Sequence, residues 1–246
     1  MRADPSRQRR LLDLQALDTR LDQIAHARAV LPVQRELDVA AARADAARAE
    51  LVRARTALSD VQREVAKADR DVQVVRDRAA RDQARLNSGQ GSPKDLQALQ
   101  HELVSLARRQ SELEDIELEV MERAEGLAAE VARLEAAAPA VEAAVTELTA
   151  ARDTALAQLD AEAESIAASR TGAVGEVGED LLALYEKVRA ASGGIGAAAL
   201  RQRRCEGCRL ELNTVDLSRF RGAAPEEVLR CEECRRILVR TAESGL

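Results

Sequence analysis

Leu86-Asn-Ser-Gly-Gln-Gly-Ser-Pro-Lys-Asp-Leu-Gln-Ala-Leu99 is the stretch that decides the fold, because its two terminal leucines belong to two different heptad series. Backward from Leu86, Ala79, Val72, Val65, Leu58 and Leu51 recur at every seventh residue, with Val75, Ala68, Val61 and Ala54 in the companion seam. The frame runs on through Ala47, Ala44, Ala40, Leu37, Val33 and Val30. Forward from Leu99, the series is Leu106, Leu113, Val120, Leu127, Leu134, Val141 and Leu148, with Leu103, Ala124, Val131, Ala138 and Val145 beside it. Apolar residues repeating at seven over this length are the pattern of supercoiled helices. Between the series, Asn87 to Ser92 is short and glycine-rich, which reads as a reversal. Ser92 can cap a new helix, Pro93 suits its first position, and Asp95 faces its exposed amides.

The expectation is an antiparallel coiled-coil hairpin over residues 1–170 with its turn at 87–92. Arms of about 80 residues would each reach about 120 Å. Heptads do not choose their own partner, so pairing of each arm with a second chain is the alternative. Upstream, Leu14, Leu17, Leu21, Ile24 and Leu31 keep helical spacing in another phase, and the slip beside Pro32 predicts a kink or break. In the second arm a further slip carries the stripe on through Leu156, Leu159 and Ile166. Gln110, Glu117 and Arg152 interrupt the seam, and Pro139 is expected to bend the arm.

The composition agrees with long helices. Of 246 residues 46% are apolar, but only Tyr185 and Phe220 are aromatic, so no large conventional core is expected. The formal net charge of -6 neither implies nor excludes a nucleic-acid partner. The basic N-terminus lacks an apolar stretch behind it, and no run approaches the roughly 18 apolar residues of a membrane span. The expectation is a cytoplasmic protein with no membrane contact, and a monomer in preference to an oligomer.

Beyond residue 170 the heptads stop. Thr171-Gly-Ala-Val-Gly-Glu-Val-Gly178 predicts a flexible joint, and its glycines lack the Lys-Ser/Thr of a phosphate loop. Residues 171–196 then form a glycine-flanked linker around a short helix at 179–190, with Leu181, Leu184, Tyr185 and Val188 on the face expected to dock at the foot of the hairpin.

The strongest chemical signal is Cys205-Glu-Gly-Cys208 followed by Cys231-Glu-Glu-Cys234. A two-residue gap lets both sulfurs of a pair turn onto one ion, and two such pairs complete a tetrahedral thiolate site. Residues 197–246 are therefore expected to form a zinc ribbon holding one structural Zn²⁺ on Cys205, Cys208, Cys231 and Cys234. Strands are expected at 198–202, 228–230 and 237–239, with a short helix capped by Asn213. A thioredoxin-like redox use belongs to a βαβ unit absent here, and paired disulfides need an oxidising compartment. With four protein ligands the metal has no open position, so catalytic zinc is not expected.

The ribbon segment carries 10 arginines and no lysine against 8 acidic residues. Arg201, Arg203 and Arg204 precede the first cysteine pair and Arg235, Arg236 and Arg240 follow the second, which makes these six the candidate nucleic-acid contacts. A plain solvated face balanced by Glu206, Glu232 and Glu233 is the competing reading. His26 and His101 are the only histidines, and no nucleophile motif or dinucleotide fingerprint occurs. The chain is not expected to be an enzyme.

Taken together, Ser92-Pro-Lys-Asp-Leu-Gln-Ala-Leu-Gln-His-Glu-Leu103, Leu181-Leu-Ala-Leu-Tyr-Glu186 and Cys231-Glu-Glu-Cys-Arg-Arg-Ile-Leu238 resemble a bacterial family over essentially the full chain. That family consists of C4-type zinc-ribbon proteins with a long N-terminal coiled-coil hairpin. The resemblance implies a mainly α fold and a non-enzymatic adaptor with a protein partner and a nucleic-acid-binding role. Some members are linked to transcription through an alternative sigma factor and to flagellar gene expression. Two other readings stand beside it. One is a factor that binds RNA polymerase through the hairpin tip, although here Asn87 to Pro93 carries no charge. The other is a structural spacer that dimerises through the ribbon.

Overall fold

The computed structural model describes residues 1–246, which fall into two compact units: Arg35–Thr149, and Met1–Gln34 together with Ala150–Leu246. Five helices and four strands follow in chain order: α1 (Pro5–Ala29), α2 (Pro32–Ser88), α3 (Pro93–Val177), α4 (Glu179–Ala191), β1 (Ala197–Arg201), β2 (Arg204–Cys205), α5 (Thr214–Gly222), β3 (Leu229–Arg230) and β4 (Ile237–Arg240).

The unit Arg35–Thr149 is a helical hairpin made by α2 and the first part of α3. Its buried residues are Leu37, Ala44, Val61, Ala68 and Val72 on α2 and Leu106, Leu113, Val120, Val131 and Leu134 on α3, all members of the expected seams. Arginines of α2 reach glutamates of α3 along one flank, Arg48–Glu142 at 2.7 Å, Arg55–Glu135 at 2.5 Å and Arg76–Glu114 at 2.6 Å, while Arg78–Glu102 at 2.7 Å lies on the other flank. Across the seam, Glu64 accepts from Arg123 at 3.1 Å. Exposed pairs of this kind contribute little to stability, because water screens the charges and holding two long side chains in place costs entropy. Their regular spacing selects the antiparallel register more than it strengthens the fold. At the reversal Gly89 and Gly91 take φ of +65° and +139°, a region that favours glycine. Ser92 and Asp95 then cap α3 reciprocally: the Ser92 amide donates to Asp95 at 3.0 Å and the Asp95 amide to Ser92 Oγ at 3.3 Å.

In the other unit α1 starts at an Asp4 cap and ends at Ala29, and α2 starts at Pro32, so the chain breaks where the phase slip predicted. The helix α3 runs on through Pro139. The joint expected at 171–178 is not there: α3 remains helical to Val177, and the break is confined to Gly178, with φ of +88°. The reason is burial. Val177 is fully buried among Leu11, Leu14, Leu181, Tyr185 and Val188, with Ala173 and Val174 packed against them, and this outweighs the helix cost of Gly172 and Gly175, about 1 kcal/mol apiece.

The sheet has strand order β2-β1-β4-β3, with β1 and β4 parallel at its centre and the outer pairs antiparallel. Period-two alternation splits its side chains between two cores. Ala197, Ile237 and Val239 face α1 and α4, whereas Ala198, Leu200 and Leu238 join Leu212, Leu217, Phe220, Leu229, Cys205 and Cys231. One sheet therefore ties the helical base to the cysteine module. No helix is long and apolar enough to cross a membrane.

Candidate metal centre

The two cysteine pairs sit in loops of the same construction. In the first, the Arg209 amide donates to the Cys205 carbonyl at 2.7 Å and the Cys205 amide to the Leu210 carbonyl at 3.0 Å. In the second, the Arg235 amide donates to the Cys231 carbonyl at 2.9 Å and the Cys231 amide to the Arg236 carbonyl at 3.0 Å. The arginine before each first cysteine closes the loop from outside, Arg204 onto the Arg209 carbonyl at 2.8 Å and Arg230 onto the Arg235 carbonyl at 2.9 Å. Arg-Cys-Glu-Gly-Cys-Arg at 204–209 and Arg-Cys-Glu-Glu-Cys-Arg at 230–235 are thus a structural repeat, visible in the sequence once aligned on the cysteines. Arg209 and Arg235 both hold φ of +62°, which is costly for a residue with a Cβ.

The loops bring all four Sγ atoms within 4.8 Å of one another. Cys205 and Cys234 Sγ are 3.8 Å apart, and Cys208 and Cys231 Sγ are 3.9 Å apart. A tetrahedron with Zn–S bonds of about 2.3 Å has sulfur–sulfur edges of about 3.8 Å, so the donor set matches zinc in number, chemistry and size. The cysteines are free thiols, at separations well beyond the roughly 2 Å of a disulfide bond. Burial pushes the Cys205 and Cys231 thiols up, so metal binding must displace protons from a buried cluster. Cys205, Cys208, Cys231 and Cys234 hold one structural Zn²⁺. Bound there, the ion links two loops that a core of this size holds only marginally by itself.

Arg236 connects this site to its surroundings. Its guanidinium donates to the Ser192 carbonyl at 2.8 Å and the Ile195 carbonyl at 3.1 Å in the segment after α4, and to the Gly207 carbonyl at 3.3 Å in the first loop. Below it lies a buried polar cluster that sequence reading did not single out. Gln15 Oε1 accepts from the Gly196 amide at 2.7 Å and the Tyr185 hydroxyl at 3.2 Å, and its amide donates to the Gly194 carbonyl at 3.0 Å. Asp18, 1% exposed, accepts from Tyr185 at 2.6 Å and Arg170 at 2.6 Å, and Arg170 also pairs with Glu186. Desolvation and the Asp18 carboxylate together push the Tyr185 phenol well above its usual value near 10, so it remains a donor. The only sequence signal was a polar residue, Asp18, within an apolar stripe.

The six candidate nucleic-acid arginines divide into groups. Arg236 and Arg240 are spent on protein carbonyls, Arg240 reaching Ala224 at 2.9 Å. Arg201 pairs with Glu243 at 2.8 Å, and Arg235 with Glu232 at 3.3 Å. Arg203 and Arg204 are exposed and make no ion pair, and three arginines of the ribbon segment outside those six share that state: Arg209 and Arg230 at the cysteine loops and Arg221 on α5.

A coiled-coil hairpin joined to a C4 zinc ribbon defines the class. Residues 14–193 match the CT398-like coiled coil hairpin domain and residues 204–238 match the C4-type zinc ribbon domain, and the chain belongs to this family. An uncharacterised protein of Mycobacterium tuberculosis is 38% identical over 98% of both chains. A structure from Mycobacterium smegmatis superposes with a TM-score of 0.87 at 38% identity, covering 98% of this chain and 100% of its own. CT398 of Chlamydia trachomatis, at 16% identity, shares the fold with a TM-score of 0.70 over 96% of this chain and 98% of its own.

Proposed function

We propose that this protein is a non-enzymatic cytoplasmic adaptor in the control of gene expression, in which the coiled coil binds a protein partner and the zinc ribbon contacts nucleic acid. The observation that carries the second half is the set of four exposed arginines that form no ion pair on or beside the paired cysteine loops: Arg203, Arg204, Arg209 and Arg230. Two of them, Arg204 and Arg209, flank the first cysteine pair at the places that Arg230 and Arg235 occupy around the second. Guanidinium groups presented on a rigid, metal-tied frame suit phosphate oxygens. A four-thiolate site leaves zinc no open coordination position, which supports a scaffolding role over catalysis.

The test is binding of an RNA and a duplex DNA to the zinc-loaded full chain across a salt series. Changing Arg203, Arg204, Arg209 and Arg230 to alanine, with zinc content unchanged, is expected to make log affinity less steeply dependent on log salt, by about 0.7–0.9 for each phosphate no longer neutralised. If neither nucleic acid binds at low salt, the nucleic-acid half is withdrawn. Affinity capture from native extract with and without nuclease tests the protein half. Capture that vanishes with nuclease would leave the coiled coil without a direct partner.

A further inference from the structure

Near the Arg35 end of the Arg35–Thr149 hairpin, α2 and α3 leave an open apolar groove of about 690 Å³, lined on α2 by Arg35, Val39, Ala40 and Arg43 and on α3 by Val141, Ala144 and Leu148 among others. Its origin lies in the register. On this flank Glu64 pairs with Arg123. Two heptads back along α2 the same register sets Glu50 beside Ala137, and three heptads back it sets Arg43 beside Ala144. Where a charge partner would cover the seam, α3 carries only methyl groups. The floor is left open, and Val39 is 53% exposed. Arg35 and Arg43 flank it without any ion pair, in contrast to Arg48 and Arg55 on the opposite flank.

We infer that this groove is the docking site for an amphipathic helix of a partner protein, apolar on one face and acidic along the edge that meets Arg35 and Arg43. This rests on the adaptor reading and specifies the partner's chemistry. Two facing helices with small residues on one flank leave the space into which a third helix inserts its apolar side chains. A small-molecule site is disfavoured because the lining offers no convergent set of polar groups. A second copy fits poorly, since each rim carries two arginines against the single Glu36, so two-fold packing would face like charges. A helix with glutamates at that edge supplies the missing partners for Arg35 and Arg43 and covers Val39, Val141 and Leu148.

The test uses zinc-loaded full chain and two synthetic amphipathic helices that share a leucine face, one edged with glutamate and the other with lysine. The glutamate peptide is expected to bind by fluorescence anisotropy. The pair Arg35→Glu and Arg43→Glu is expected to weaken it about tenfold and to strengthen the lysine peptide. Ala144→Glu, on an exposed helical position that accepts the residue, is expected to block both, and Val39→Lys provides a second blocking variant. Equal binding of the two peptides, no binding of either, or a dimer in sedimentation that Ala144→Glu dissociates would each overturn the proposal. Capture of nuclease-resistant protein partners by Ala144→Glu at the wild-type level removes the groove while the adaptor reading stands. Absence of such partners from wild type removes both.

Discussion

Replacing Asp18 by alanine tests whether the polar cluster around it holds the ribbon-bearing unit together. The carboxylate side chain is 2% exposed and takes hydrogen bonds from Tyr185 at 2.6 Å and Arg170 at 2.6 Å. The phenol, itself fully buried, would lose a bond to a charged acceptor, about 1.5–3 kcal/mol. Arg170 is about a quarter exposed and keeps Glu186, so its loss is nearer about 1 kcal/mol. Together these predict about 2.5–4 kcal/mol, overlapping the range of about 3–5 kcal/mol for breaking a buried pair from one side. At about 2–4 °C per kcal/mol for a chain of this size, the transition should fall by about 5–16 °C. The chain contains one tyrosine and no tryptophan, so ultraviolet emission reports this site alone and can be followed in denaturant beside circular dichroism. Tyr185→Phe should cost about 1.5–3 kcal/mol, and the double variant should cost less than the sum of the two. A loss below about 1 kcal/mol in Asp18→Ala, or strict additivity with Tyr185→Phe, would refute the reasoning.

The remaining expectations address the phenol, the metal and the backbone. Because the Tyr185 phenol is raised above its unfolded value near 10, the folded state holds its proton longer; stability conferred below that pH should decline as the solution is made more alkaline, and Tyr185→Phe should flatten the decline in a pH series of denaturant midpoints. Removing zinc with a chelator under reducing conditions should expose residues 197–246 to protease while most helical dichroism persists, since zinc contributes on the order of 10 kcal/mol to such modules and the Arg35–Thr149 hairpin has its own seam. Retained protease resistance without metal would contradict the structural role assigned to it. Gly196→Ala should be strongly destabilising, by more than about 2 kcal/mol in denaturant melts, because a Cβ there would lie 2.7 Å from the Tyr185 carbonyl oxygen and 2.8 Å from its ring. Exchanging Arg55 and Glu135 should change stability by less than about 1 kcal/mol, whereas Arg55→Glu alone should produce a small loss that rising salt reduces.

Much of this architecture was written in local pattern. Seven-residue periodicity, Pro32, the glycines of the turn and the Ser92 to Asp95 cap determine helices, break and reversal, because each acts through backbone geometry or a stripe that neighbours in sequence create. The zinc ligands were equally legible, since a two-residue spacing is itself the geometry of a metal loop. Tertiary structure alone decided the rest. Residues 171–177 read as a joint from their glycines, yet Val177 is drawn into a core assembled from α1 and α4, whose contributors lie more than 160 residues apart in the chain. Likewise Arg236 and Arg240 look identical to Arg203 and Arg204 as letters, but each of the first two is half-buried and bonded to three carbonyls, whereas the others give one carbonyl bond each and stay exposed to water. Local sequence determines what a segment can form. Burial against remote partners determines whether a glycine bends the chain or an arginine remains free to bind.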